Sequence, residues 1–351
     1  MLLAPAQPSA LPSSLPSSLP EAQIVRSFRS KTPDVGRKLR TIDSHSEFGE
    51  FAALVTEEGV TDVFANGPHE VWIDRGGGLE SREPTGLDED GLRSLAVRLI
   101  ALGGRHIDEA TPCVDVRLRD GIRVHVVLPP ISTSGTLLSI RLPSARTLGL
   151  AELDEAGFFS AVPLQRVRSL VRSRQNLLIS GASGSGKTTL LGALLGSAAP
   201  SERIVAIEDV AELRVAHPHF VSLEARQANL EGAGQLGLER LVREALRMRP
   251  DRLVLGECRG AEIRELLAAL NTGHDGGAGT LHANSLGDVP ARIEALGALA
   301  ELGPTAIARQ TVSAIGAVLH LERVDGVRRV AELGRFELDD RDRLRMVDLD
   351  G

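Results

Sequence analysis

Aromatic residues are scarce in this 351-residue chain, which has eight Phe, one Trp and no Tyr. Stacking platforms for single-stranded nucleic acid are therefore not expected, and the cores must be built from Leu, Val, Ile and Ala. Cysteine is sparser still. Cys113 and Cys258 are far apart, with no metal-ligand spacing and no histidine cluster to complete a zinc site. Two isolated thiols fit a reducing compartment. No apolar run approaches the ~18 residues of a membrane span. The N-terminus starts apolar, but it lacks a basic region and is broken by prolines, unlike a signal peptide. Excess positive charge is missing too. A net charge of −7 offers no global attraction to a phosphate backbone, so nucleic acid is not expected as the main partner.

What is present, 42% hydrophobic and 25% charged residues, suits a globular protein of two domains. Residues 1–44 stand apart. Leu11 to Pro20 is a Pro/Ser/Leu repeat that reads as a disordered tail. The basic run Arg26, Arg29, Lys31, Arg37, Lys38 and Arg40 reads as a solvated linker. Residues 45–143 suggest a small α+β domain. Strands are expected at Val60 to Phe64 and Glu70 to Ile73 around the turn Asn66-Gly67. A helix is expected through Leu92, Leu95, Ala96, Leu99 and Ile100, stopped at Gly103-Gly104. A hairpin follows, with Val114, Val116 and Leu118 answered by Ile122, Val124 and Val126 across Asp120-Gly121. Residues 144–162 read as a linker with a short helical piece.

Residues 163–351 alternate strand and helix, which predicts an α/β domain with a mostly parallel sheet. Short apolar strands are expected at Leu177 to Ser180, Ile204 to Ile207 and Leu253 to Leu255. Apolar helix stripes run through Leu238, Leu241, Val242, Ala245 and Leu246, and through Ile263, Leu266, Leu267 and Leu270. Ala317 to Leu321 and Val327 to Leu333 flank Asp325-Gly326 as a closing hairpin.

The chemistry starts at Gly181, Ala182, Ser183, Gly184, Ser185, Gly186, Lys187 and Thr188, a full G-x-x-x-x-G-K-[ST] match between an expected strand and an expected helix beginning at Thr189. Such a loop turns backbone N–H groups inward as an anion nest, and the new helix adds partial positive charge. Lys187 can reach the β- and γ-phosphates of a nucleotide. The Thr188 hydroxyl can ligate Mg²⁺, which takes few protein ligands and keeps several waters. Two apolar strands then end in carboxylates, Glu208-Asp209 and Glu257. In an open parallel sheet the ligand lies beyond the carboxyl ends of the strands, so both acids would face the phosphates. His274 and His282 bracket a Gly-rich stretch. A neutral imidazole there can hydrogen-bond a γ-phosphate or a catalytic carboxylate.

Taken together, Glu208-Asp209 with Glu212-Leu213, Arg249 to Arg252 before Gly256, Glu257, Arg259 and Gly260, and Asn271 to Gly276 followed by His282 to Ser285 resemble the Asp box, Walker B and His box of the type II/IV secretion ATPase superfamily. The chain looks closest to the Tad/Flp pilus ATPases and is similar to the VirB-type conjugation ATPases. The resemblance implies a RecA-like P-loop domain hinged to a smaller N-terminal domain, ATP and Mg²⁺ bound between them, and a homo-hexamer. The partners it implies are inner-membrane platform proteins, with the chain cytoplasmic and peripheral to the inner face of the membrane. It implies a nucleotide set of Gly181 to Thr189, Arg105, Arg123, Arg141, Asp209, His274 and Arg259. Lys187, Glu208, Glu257 and His282 carry the catalysis, and Thr188 and Glu257 serve the metal. The two glutamates share the base and metal-shell roles; our reading takes Glu208 as the water-orienting base and Glu257 as the Walker B carboxylate.

The chain departs from the pattern where Gly277 to Thr280 replaces a hydroxyl-rich stretch, where Cys258 takes an apolar place, and in lacking the four-cysteine motif of type II secretion members. Three functions stand at this point: a pilus or secretion motor, a DNA-translocating conjugation-type ATPase, and a nucleotide-binding regulatory subunit without turnover.

Overall fold

A computed structural model of the chain describes residues 43–143, 147–226, 234–324 and 326–349. The expected Pro/Ser tail, the basic linker and Asp325 of the closing turn lie outside them. A 3-10 turn, Asp43–Phe51, runs into α1 (Ala52–Thr56). Then come β1 (Asp62–Asn66), β2 (Val71–Asp74), β3 (Leu79–Arg82) and α2 (Glu89–Leu102). The Asp88 carboxylate accepts from Gly91 N at 2.8 Å and so starts α2. After these, β4 (Cys113–Arg117), β5 (Arg123–Val127) and β6 (Leu137–Arg141) complete an antiparallel sheet in the order β3-β2-β1-β6-β5-β4. Alternate residues face inward. Val114, Val116, Val124, Val126, Leu138 and Ile140 are buried with Leu92, Leu95, Leu99 and Ile100 of α2. The helix and the hairpin stand where periodicity puts them, while β1 and β2 are displaced by one or two residues along the chain.

The second sheet is α/β. In chain order its elements are α3 (Leu150–Glu155), α4 (Leu164–Arg172), β7 (Leu177–Gly181), α5 (Lys187–Gly196), β8 (Ile204–Glu208), β9 (Phe220–Glu224) and α6 (Leu238–Leu246). They continue as β10 (Arg252–Leu255), α7 (Glu262–Leu270), β11 (Ala278–His282), α8 (Val289–Leu299), α9 (Pro304–Ala314), β12 (Ala317–Val324), β13 (Val327–Leu338) and β14 (Leu344–Asp348). The strand order is β14-β13-β12-β7-β11-β10-β8-β9. From β12 to β9 every neighbour is parallel; β13 and β14 are antiparallel.

Both faces of this sheet are covered. Leu178, Val205, Ile207, Leu253 and Leu255 pack under α6 to α9. Leu177, Ile179, Ile204, Ala206 and Val254 pack under α3 to α5. Strands buried on both faces read as continuous apolar runs, which is why β7, β8 and β10 were visible in sequence. The edge strands β9 and β14 and the short exposed β3 carry mixed residues and were not foreseen. Among the described residues no helix is long and apolar enough to cross a membrane.

The amino ends of the parallel strands are clipped by buried charge. Arg252 Nε meets Glu202 Oε2 at 2.6 Å, while its Nη1 and Nη2 donate to the Gly276 and Val171 carbonyls at 3.1 and 3.0 Å. Arg174 pairs with the other Glu202 oxygen and donates to Asp251 O at 2.6 Å. Burial alone would raise the Glu202 carboxyl, but the two arginines bring it below its ordinary value. Removing one partner of such a pair strands the other. We expect Arg252→Ala to cost about 3–5 kcal/mol of unfolding free energy, read by urea denaturation. A loss under about 1 kcal/mol would mean the latch carries no such charge burden.

Candidate functional site

The site is built by the register of parallel strands. Gly181 at the end of β7 lies beside His282 at the end of β11. Leu255 of β10 pairs with Ile207 of β8, so the next residues, Gly256 and Glu208, are neighbours as well. A Cβ on Gly256 would stand 2.5 Å from Glu208 Cγ, so only glycine admits the glutamate there. Four carboxyl ends thus open on one edge, as the ligand position in open α/β sheets requires.

The loop from β7 into α5 turns through Gly186, whose φ of 101° is open to glycine but strained for other residues. Ala182, Ser183 and Gly184 at the loop tip are exposed, as are Thr188 and Thr189 on the first turn of α5. Lys187 is buried. Its Nζ donates to the Gly181 and Ala182 carbonyls at 2.9 and 2.8 Å and to His282 Nδ1 at 3.2 Å. The Ser185 hydroxyl is buried with no partner among the described residues.

From the lysine a polar chain continues. His282 Nε2 donates to Glu257 Oε1 at 2.9 Å. Glu257 Oε2 accepts from Arg259 Nη2 at 2.6 Å, and Arg259 Nη1 lies 3.7 Å from Asp209 Oδ2. The Arg259 and Gly260 N–H groups bind Glu262 Oε1 at 2.6 and 2.7 Å, which fixes the turn. Burial pulls the Lys187 ammonium below its ordinary value, against the attraction of Glu257. Burial and then Lys187 pull the His282 imidazole down, so it is neutral near pH 7, accepting at one nitrogen and donating at the other. Burial would raise Glu257, but Arg259, His282 and Lys187 outweigh it and hold the carboxylate ionised. Asp209 is raised, chiefly by burial.

Glu208 is the outlier. Its Oε1 accepts from the Glu212 and Leu213 N–H groups at 3.1 and 2.9 Å, while its Oε2 is buried without a partner among the described residues. Burial pushes its carboxyl up to about 7, despite those two backbone donors.

The N-terminal sheet reaches this edge with a row of arginines. Arg117, Arg123 and Arg141 are direct register partners across β4, β5 and β6. Arg123 Nη1 meets Glu212 Oε1 at 3.0 Å, and Arg117 Nη2 donates to Ala211 O at 3.0 Å while its other nitrogen pairs with Glu224. Arg141 stands exposed at the end of the row, opposing the burial that raises Asp62. Arg105 rests on β4, where its Nη1 donates to Asp115 O at 3.2 Å. His274 is not brought to the cleft. It precedes the first residue of β11, at the opposite end of the strand from His282, and its Nδ1 donates to Ala269 O at 3.1 Å.

Sequence reasoning missed Arg117 and Arg328. The register of Arg117 opposite Arg123 in the hairpin could have revealed the first. No motif points to Arg328, whose Nε donates to the loop carbonyl of Gly184 at 2.9 Å from the start of β13.

Residues 45–326 match the family described as type II/IV secretion system protein. The chain belongs to that family. A protein of Mycobacterium tuberculosis (strain ATCC 25618 / H37Rv) provisionally named for conjugal transfer is 48% identical over 292 residues, 81% of this chain and 83% of its own. A type IV secretion system protein of Bordetella pertussis is 35% identical over 259 residues, 66% of this chain and 75% of its own. The crystal structure of a pilus retraction motor with bound ADP shares the fold, with TM-score 0.57 and 20% identity over 85% of this chain and 82% of that one. The fold of this member is the RecA-like core with an N-terminal α+β domain that the sequence resemblance implied.

The Glu208 proton has a measurable signature. Its ordinary value is 4.5 and its folded value about 7, so the folded chain holds the proton more tightly than the unfolded one. The stability it contributes is full below pH 4.5 and lost as pH rises through about 7. In urea denaturation, the stability of wild type minus that of Glu208→Gln should fall by roughly 3 kcal/mol across that window. A flat difference would place Glu208 in a solvated setting.

Proposed function

We propose that this family member is an ATP-hydrolysing hexameric motor that powers pilus assembly or secretion at the inner face of the cytoplasmic membrane, acting on inner-membrane platform proteins. The observation that carries this reading is the single polar chain from the phosphate-loop carbonyls through Lys187, His282 and Glu257 to Arg259, with the proton-holding Glu208 on the adjoining strand.

The residues fit a nucleotide and its ion. Lys187 is a buried cation satisfied by loop carbonyls and a neutral histidine, partners that can be exchanged for phosphate oxygens. Gly181 to Thr189 present the loop and first helical turn, with exposed hydroxyls at Thr188 and Thr189. Among the described residues no three His, Cys, Asp or Glu side chains form a metal cage. A bound Mg²⁺ would neutralise phosphate charge, held by Thr188, by Glu257 through water, and by the substrate itself.

Glu208 is suited to take the proton of an attacking water. One oxygen is fixed by two N–H groups, the other has a vacant lone pair, and a value of about 7 sits near the working pH. His282, neutral and anchored on Glu257 through its one N–H, can release Lys187 toward a γ-phosphate. Arg117 and Arg123 hold Ala211 and Glu212 in the 211–213 turn, whose Glu212 and Leu213 N–H groups bind Glu208. Movement of the N-terminal domain would therefore be felt at the base, and the reverse.

A second reading keeps the motor and changes its cargo to transferred DNA; the conjugal-transfer name of the mycobacterial relative favours it. The net charge of −7 favours protein contacts for this subunit itself.

Lys187→Ala should lower phosphate release from ATP by about 100-fold or more, and Glu208→Gln and Glu257→Gln each by about 100-fold. A Lys187→Ala chain working at the wild-type rate would overturn the motor reading. Intact turnover in Glu208→Gln, with loss in Glu257→Gln, would reverse the two glutamate roles.

A further inference from the structure

One buried titratable group has no part in the mechanism above. His320 on β12 is 4% exposed. It lies in parallel register with Ser180, the residue before the phosphate loop begins. The Ser180 hydroxyl is wholly buried and stands 2.9 Å from His320 Nδ1. The backbone of Asn284, two residues beyond His282, faces the ring as an acceptor and favours its protonated form. Burial pulls this imidazole below its ordinary value, against the opposing pull of Glu332, Glu322 and Asp288. In the neutral ring one tautomer suits both neighbours, with Nδ1 accepting from Ser180 and the N–H on the other nitrogen, toward Asn284.

The bridge lies on the side of the sheet away from the phosphate helix. Leu178 and Val318, which share a face with Ser180 and His320, pack under α6 to α9, whereas α5 packs with Leu177, Ile179 and Leu319. His320 therefore has no contact with a nucleotide in the loop. An aliphatic residue would fill such a place without desolvation cost, while an imidazole needs both of its bonds there. What those bonds join is specific: the root of the phosphate loop and the exit of the strand that carries His282.

We propose that His320 is a positioning residue that holds His282 in register with the phosphate loop, so that the loop and the histidine respond to a nucleotide as one unit. The proposal rests on the loop binding ATP. Its effect falls on turnover rather than on phosphate capture, because the loop backbone alone can hold the phosphates of ADP.

The test is kinetic. Full-length His320→Leu should lower kcat for ATP by about tenfold while its ADP affinity stays within about twofold of wild type. His320→Gln, which keeps a donor for Asn284, should stand between leucine and wild type, and it carries the comparison if the leucine variant does not fold. In a His282→Ala background the leucine change should add nothing further to kcat. Three results overturn the proposal: unchanged kcat, a parallel loss of kcat and ADP affinity, or independent effects of the two histidine changes. A wild-type chain that binds ADP but is inert toward ATP overturns the motor reading instead, and this inference with it.

Discussion

The ammonium of Lys187 is buried at the mouth of the phosphate loop and needs partners in every direction. Two loop carbonyls and the His282 imidazole supply them, at 2.9, 2.8 and 3.2 Å. An isolated charge in such a place would be costly, and the rest of the edge is arranged around it. His282 must be neutral to accept from it, Glu257 anchors His282, and Arg259, with His282 and Lys187, holds the Glu257 carboxyl below its ordinary value. Each protonation state follows from its neighbour. Glu208 stands outside this chain of pairs, and burial raises its carboxyl to about 7, where it can give and take a proton.

Parallel strand register makes this possible. Gly181, His282, Glu257 and Glu208 are distant in sequence but end adjacent strands in the order β7, β11, β10, β8. The apolar runs inside those strands are therefore part of the site, since they fix the relative height of the four ends. The polar latch of Arg252, Glu202 and Arg174 secures the same strands at their other ends. The N-terminal sheet adds its arginine row, which touches the turn below Glu208 and joins domain position to the proton-holding group.

Much of this was legible from the residues because it is local. The loop Gly181 to Thr188, the strand feeding it and the acids Glu208 and Glu257 are all read from short runs, and the structure brings them together. His274 misled for a physical reason. It sits in the same Gly-rich segment as His282, but β11 runs between them with five residues at about 3.3 Å each. Arg123 was readable from the motif Asp120 to Arg123. Arg117 needed the pairing of β4 with β5, and Arg328 and His320 needed the placement of β12 beside β7 and of β13 beside β12. None of those is a local property. Exposed edge strands such as β9 and β3 lack the apolar run that marks a buried strand, so their sequences gave no signal.

We take the partners of Lys187 to be placeholders for phosphate. A structure of the chain with Mg²⁺ and a non-hydrolysable ATP analogue tests it most directly. Lys187 Nζ should be released from the Gly181 and Ala182 carbonyls and bonded to phosphate oxygens, with His282 still on Glu257 and Glu208 facing the terminal phosphate. An analogue bound elsewhere, with Lys187 still on the two carbonyls, would contradict it.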